Sequence, residues 1–221
     1  MNVLVVLAHP ERRSFNGALF DTTVRELSSQ GHNLATSDLY RLGFNPVSDR
    51  HNFCTVKDPD YLKLQAEEAY ASENAGFAPD LETEICKLES CDLLILQFPL
   101  WWFGLPAILK GWIDRVLAMG RTYGYGAMYR KGKFRGKRGF LCLTTGGVEE
   151  AYVKTGQHGD IHTMLRPVQH GVLEFVGFDV LAPQIHFGAA RATPEQREKW
   201  LAQYALRLRT IASEAPIVID S

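Results

Sequence analysis

QFPLWWFGLPAILKGWIDRVL, Gln97 to Leu117, changes character halfway along. Its first residues continue an apolar run, and its second half places Ile108/Leu109, Trp112/Ile113 and Val116/Leu117 at helical spacing, with Lys110, Asp114 and Arg115 expected on the other side. Pro106 suits a first helical position. Between strand and helix stand two tryptophans and a phenylalanine, held between Pro99 and Pro106. A bulky indole normally hides in a core or meets a flat partner. On a strand-to-helix loop the second use is the better expectation for Trp102 and Phe103, whereas Trp101 could also pack beneath its neighbouring loop.

The same alternation extends in both directions. Apolar runs of strand length occur at Val3 to Leu7, Leu93 to Leu96 and Phe140 to Leu143, with weaker ones at Asn33 to Thr36 and Phe178 to Leu181. Runs that do not alternate with polar residues suit strands buried on both faces of a parallel sheet. Ser14 to Gln30 carries Phe15, Leu19 and Leu27 on one helical face, with Gly31 as its stop. The last helix opens on the capping pattern Thr193-Pro194-Glu195-Gln196 and continues through Leu201, Tyr204/Ala205, Leu208 and Ile211/Ala212. The expected class is α/β: a doubly wound five-stranded parallel sheet with helices on both faces, in one domain over 1–221. Leu42 to Asp80 is long for a connection and reads as an insertion with a short helix near Tyr61 to Ala71.

The chain has 221 residues, 46% hydrophobic and 22% charged, an ordinary globular composition. Lys plus Arg number 24 against 25 Asp plus Glu, so no charge excess favours nucleic acid or an anionic membrane. The apolar run at the start is too short for a signal peptide, and no segment is long enough to span a bilayer; the expectation is a cytoplasmic protein with a small partner. Cys54, Cys86, Cys91 and Cys142 form no CxxC and are expected as free thiols.

In a doubly wound sheet, ligands gather beyond the carboxyl ends of the strands. After the first strand comes AHPERRSFNGALF, which is no GxGxxG but puts Ser14, Phe15 and Asn16 at a helix start, where free N–H groups attract phosphate; His9 could add a donor. After the third comes PLWWFGLP. After the fourth comes TTGGVEEAY, where Gly146 and Gly147 permit close backbone approach, Thr144 and Thr145 carry hydroxyls, and Tyr152 and His158 could donate to charge developing on a ligand. Each loop alone is weak; three at one edge suit a planar aromatic ligand.

AHPERRSFNGAL, QFPLWWFGLPAILKGWIDRVL, TTGGVEEAY with GQHGD, and HGVLEFVGFDVLAPQ together resemble the NAD(P)H:quinone oxidoreductase (DT-diaphorase) family, over residues 3 to about 212. The resemblance implies a flavodoxin-like fold with strand order 2-1-3-4-5 and a homodimer carrying FAD at two interface sites. It implies two-electron reduction of a quinone by NADH or NADPH in a ping-pong cycle. By position, His9, Phe15, Asn16, Gly17 and Ala18 would hold the pyrophosphate. Leu100, Trp101, Trp102 and Phe103, with Thr144, Thr145, Gly146 and Gly147, would hold the isoalloxazine, and Arg197 would lie near the adenosine. Tyr152 and His158 match the residues that stabilise charge on the reduced ring. Tyr123, Gly124, Tyr125, Met128 and Phe175 match substrate-pocket positions, some reaching in from the other subunit.

Some shorter relatives hold a metal with two histidines one turn apart and a distant cysteine. His170 is followed four residues later by Glu174, and no cysteine stands near the C terminus, so no metal is expected. Two alternatives share the resemblance: a flavin-dependent azo- or nitroreductase, with FMN as the other candidate flavin, and a regulatory flavoprotein subunit of a potassium-efflux system.

Overall fold

The computed structural model describes residues 1–219. Strands β1 (Asn2–Leu7), β2 (Asn33–Asp38), β3 (Leu93–Pro99) and β4 (Arg138–Thr144) pair in parallel in the order β2-β1-β3-β4. Every residue of β3 is buried, as are Val3 to Leu7 of β1, which is why these strands read as unbroken apolar runs. The fifth position is split: β5 (Asp179–Val180) pairs the start of β4, and β6 (Gln184–His186) pairs its end. Pro183 lies in the gap, where it has no N–H to give a ladder.

Helices cover both faces. One layer is α1 (Phe15–Ser29) and α6 (Pro194–Leu208), whose Leu19, Leu27, Tyr204 and Leu208 pack with Val3, Val5, Leu7, Ile95 and Phe140. The hydroxyls of Thr23 and Tyr204 meet at 2.9 Å and join the two helices. Both start on side-chain caps: Ser14 Oγ accepts from the Gly17 N–H, and Thr193 Oγ1 from the Gln196 N–H. Gly31, at φ +77°, turns the chain after α1 in the left-handed region that glycine tolerates. The other layer holds α3 (Pro79–Ser90), α4 (Ala107–Val116) and α5 (Ile161–Val168), through Leu81, Ile85, Leu109, Trp112 and Leu165.

The long segment before α3 contains α2 (Leu64–Asn74) and a single 3-10 turn at Arg50–Asn52. It folds onto α4. A side chain at Gly111 would meet the Pro46 carbonyl oxygen at 2.2 Å, so only glycine admits this approach. Arg115, expected on the polar side of α4, is 1% exposed. Its guanidinium donates to Asn52 Oδ1 and to the Asn45 carbonyl, each at 2.7 Å, and sits over Phe44. Lys110 and Asp114 do lie outside, as an ion pair one turn apart. Pro106 takes the capping position just ahead of Ala107. Among the described residues no helix is long and apolar enough to cross a membrane, and all four cysteines are free.

Candidate functional site

The carboxyl ends of β1, β3 and β4 open on a cleft of about 420 Å³. Its lining includes His9, Phe15, Asn16, Leu100, Trp101, Thr144, Thr145, Gly146 and Arg197, drawn from all three candidate loops and from α6. Arg13, Ser14, Pro99, Ala189 and Ala190 complete it. Ala189 and Ala190 carry no chemistry that a sequence could signal; they are there because β6 delivers them to the same edge.

Buried side-chain bonds fix the floor. Asn16 Nδ2 donates to Thr144 Oγ1 at 2.8 Å, linking the start of α1 to the end of β4, and the wholly buried Gln97 donates to the Asn16 carbonyl. Thr145 donates to the Gly147 carbonyl at 2.8 Å and so shapes the turn. At Gly17 an added side chain would stand 1.8 Å from the Arg12 carbonyl oxygen, so this glycine permits the loop to fold against α1. The N–H of Gly17 is bound by Ser14 Oγ and that of Ala18 by the Ser14 carbonyl. The N–H groups of Phe15 and Asn16, one residue earlier, have no partner among the described residues.

The donors that remain suit an anion. His9 Nδ1 receives the Glu11 N–H at 3.0 Å, which places the neutral ring's proton on Nε2. Burial lowers the His9 pKa below its usual value, keeping the ring neutral near pH 7. Arg197 uses Nη2 on the carbonyls of Ala189 and Ala190, while its buried Nε has no partner. A buried donor without a partner costs about 1–3 kcal/mol, which a phosphate oxygen at this end of the cleft would relieve.

Past Trp101 and Gly146 the edge is apolar and open; Trp102, Phe103, Gly147, Tyr152 and His158 stand there, outside the lining of the cleft itself. Trp101 and Phe103 are 41% and 48% exposed and Trp102 is 96% exposed, so the protein does not fill this edge with its own indoles. Trp102 and Phe103 have φ of +51° and +59° inside a tight hairpin closed by reciprocal bonds between Trp101 and Gly104. The turn thus has the left-handed pair that type I′ hairpins usually give to Asn-Gly. His158 lies against Phe103 (5.3 Å between ring centres) and against Tyr152 (5.0 Å). A side chain at Gly147 would start 3.6 Å from both His158 Nε2 and Tyr152 Oη, so a ligand passing over Gly147 comes within reach of both donors. An added side chain at Gly146 would meet nothing within 4 Å. A flat ring over this turn with a phosphate tail toward α1 and Arg197 matches the donor set, and a flavin nucleotide has that shape.

Tyr123, Gly124, Tyr125, Met128 and Phe175 do not line this cleft. Tyr123 packs on Phe175 at 5.8 Å and Tyr129 joins them at 5.4 Å; Tyr125 is 96% exposed. Met128 borders a larger hollow of about 1070 Å³, walled in part by His170, Glu174 and Ile217 to Ile219, which shares no lining residue with the cleft at the carboxyl ends of the strands. There His170 Nδ1 and Glu174 Oε2 pair at 2.7 Å.

Residues 1–211 match a sequence family described by its flavodoxin-like fold. The chain is 45% identical to NAD(P)H dehydrogenase [quinone] 1 of Cavia porcellus over 97% of its own length and 78% of that protein's. It is 44% identical to the human ribosyldihydronicotinamide dehydrogenase [quinone], over 97% and 94% of the two chains. A solved structure of a candidate quinone reductase from Klebsiella pneumoniae superposes with a TM-score of 0.93 at 37% identity, covering 98% of this chain and 87% of that one. Sheet order, strand-end cleft and these likenesses agree: the chain belongs to the flavodoxin-like family of NAD(P)H:quinone oxidoreductases.

Proposed function

We propose that the protein is an FAD-dependent NAD(P)H:quinone oxidoreductase that works as a cytoplasmic homodimer. The observation that carries this reading is a strand-end cleft with unpaired donors at the start of α1 and at Arg197, bordered past Trp101 by exposed aromatics and past Gly146 by a glycine within reach of Tyr152 and His158. Bound there, a flavin supplies hydride chemistry, taking two electrons and a proton from a reduced nicotinamide and delivering them to a quinone.

The chain's own residues do the rest. Phe15 and Asn16 offer backbone N–H groups, and His9 Nε2 and Arg197 Nε offer side-chain donors, to the diphosphate. Trp101, Trp102 and Phe103 supply the flat apolar wall and exclude water from the ring's edge. Tyr152 Oη and His158 Nε2 hold protons toward the place where negative charge collects, and Gly146 leaves its backbone open to the ligand. Four donors at one end of the cleft, the N–H groups of Phe15 and Asn16 with His9 Nε2 and Arg197 Nε, favour the diphosphate of FAD over the single phosphate of FMN. A second copy of the chain would complete the quinone pocket with the Tyr123, Tyr125 and Met128 face, which in one subunit lies away from the cleft.

The test is the chromophore of the purified protein. Denaturation should release FAD, and NADH or NADPH should bleach the bound flavin, with a quinone restoring its colour. Protein that takes up neither FAD nor FMN, or a flavin that no reduced nicotinamide bleaches, would refute the proposal.

A further inference from the structure

Helix α2 buries two consecutive carboxylates, Glu67 at 2% and Glu68 at 6% exposure. Glu67 has a structural explanation: it accepts the N–H groups of Lys57 at 2.7 Å and Asp58 at 2.9 Å, and Arg50 stands 4.0 Å away. Glu68 faces the other way. It accepts the Met119 N–H at 2.8 Å and lies beside the Tyr123 phenol, one helical turn after the Gln65 amide that reaches the same oxygen, and no cation pairs with it among the described residues. The Tyr123 oxygen receives Gln65 Nε2 at 3.3 Å. The other groups around the pair are neutral or turned away. Ser72 donates to the Met119 and Glu68 carbonyls, Lys133 binds the Gly120 carbonyl, and the exposed Tyr125 phenol is the remaining titratable neighbour of Tyr123.

We propose that Glu68 is a positioning residue whose protonation decides whether the Tyr123 hydroxyl can donate to a quinone oxygen. This rests on the reading that Tyr123 faces the quinone in the site completed by a second subunit. A phenol carries one proton. While Glu68 is ionised that proton points at the carboxylate and Gln65 takes one lone pair, so Tyr123 can only accept from a ligand. A quinone carbonyl has no proton to give, and the ionised state therefore leaves it without a partner. Once Glu68 is protonated, its own O–H can donate to the phenol oxygen and the phenol proton is free to turn outward.

The stoichiometry requires such a proton. Converting a quinone to a hydroquinone takes one hydride, which the reduced nicotinamide supplies by way of the redox group, and one further proton. Tyr123 gives that proton to the oxygen as negative charge develops there, Glu68 refills Tyr123, and solvent refills Glu68. Burial raises the Glu68 pKa above the usual carboxylate range, chiefly through desolvation, so its protonated form persists to higher pH than on an exposed side chain.

The experiment uses pre-reduced, flavin-loaded enzyme mixed with a simple benzoquinone across pH, as wild type, Glu68→Gln and Tyr123→Phe. Wild type should lose second-order rate as pH rises through the Glu68 titration. In Glu68→Gln the amide oxygen still accepts the Met119 N–H and the amide NH₂ donates to the phenol oxygen permanently, so this limb should vanish and the high-pH rate should rise. Tyr123→Phe should be pH-flat and about ten- to a hundredfold slower than wild type at low pH, the effect of one donor to a developing charge. If the limb survives in Glu68→Gln while Tyr123→Phe is slow, the role of Glu68 is overturned and the placement of Tyr123 stands. If Tyr123→Phe matches wild type at every pH, the placement itself is wrong and the inference falls with it. Should Glu68→Gln fail to fold, the carboxylic C=O infrared band of wild type must titrate with the kinetic limb and shift in Tyr123→Phe; no such band overturns the proposal.

Discussion

Trp102 and Phe103 are held where L-residues with side chains rarely sit, both in the left-handed region and next to each other. Each costs about 1–2 kcal/mol relative to a residue suited to that conformation. Little burial offsets the cost at Trp102, which is 96% exposed. Strain without compensating contacts inside one chain is what a turn shaped for a ligand would show. The double substitution Trp102→Asn with Phe103→Gly should raise the urea midpoint of flavin-stripped protein, by about 1–3 kcal/mol in stability, while weakening flavin retention. An unchanged midpoint would mean that the turn is relaxed. His186 makes the opposite kind of statement. It is 2% exposed, ringed by Phe15, Trp200 and Tyr204, its Nε2 has no partner, and burial lowers its pKa to about 4. The unfolded chain, with an ordinary value near 6.5, binds this proton first. Its contribution is therefore complete above about pH 6.5 and is lost as pH falls toward 4, amounting to roughly 3 kcal/mol. Stability curves of wild type and His186→Ser should run parallel above neutrality and diverge between those limits, with the variant losing less. Equal slopes in acid would show that His186 gains its proton without cost.

Helices α1, α4 and α6 were legible because each has one apolar face against the sheet and a cap or proline at its start. Arg115 was not, and the reason is tertiary. Helical spacing says which residues share a face, but nothing near α4 in sequence announces that Phe44 to Asn52 will fold over the opposite side. α2 was placed only approximately because its burial is not apolar: the residues it hides are Glu67, Glu68 and Ala71. The fifth strand was expected whole and is split at Pro183, with its second half supplying His186 and the approach to Ala189. Arg115 gives the insertion its anchor, with hydrogen bonds to Asn45 and Asn52 and an ion pair to Asp80 at 3.3 Å. Arg115→Met keeps much of the volume and strands these acceptors, a loss of about 3 kcal/mol. Limited proteolysis should then cut first between residues 42 and 62, before any site in the sheet. A variant as protease-resistant as wild type would show that the Gly111–Pro46 contact alone holds the segment.

With strand order β2-β1-β3-β4 the chain leaves β1 through α1 on one face of the sheet and leaves β3 through α4 on the other, and the cleft lies where they part. That position follows from topology, so the three loops could be singled out from sequence once the strands were recognised. What no single-chain pattern announces is the separation of the aromatic face at Tyr123, Tyr125 and Phe175 from the cleft: the distance between them within one subunit is a property of the assembled fold. If two copies share their sites, each active centre takes the cleft from one chain and that face from the other. Subunit mixing tests this directly. A cleft variant, Asn16→Ala with Arg197→Ala, should lose flavin; a face variant, Tyr123→Ala with Tyr125→Ala, should keep flavin but reduce quinones poorly. Either homodimer has two defective centres. A mixed dimer has one centre carrying both lesions and one carrying neither, so unfolding and refolding the two variants together in equal amounts should restore about a quarter of wild-type activity. Activity that stays at the mean of the two parents after mixing, with mixed dimers demonstrably formed, would mean that each chain builds its quinone pocket alone and that the exposed Tyr125 face serves something else.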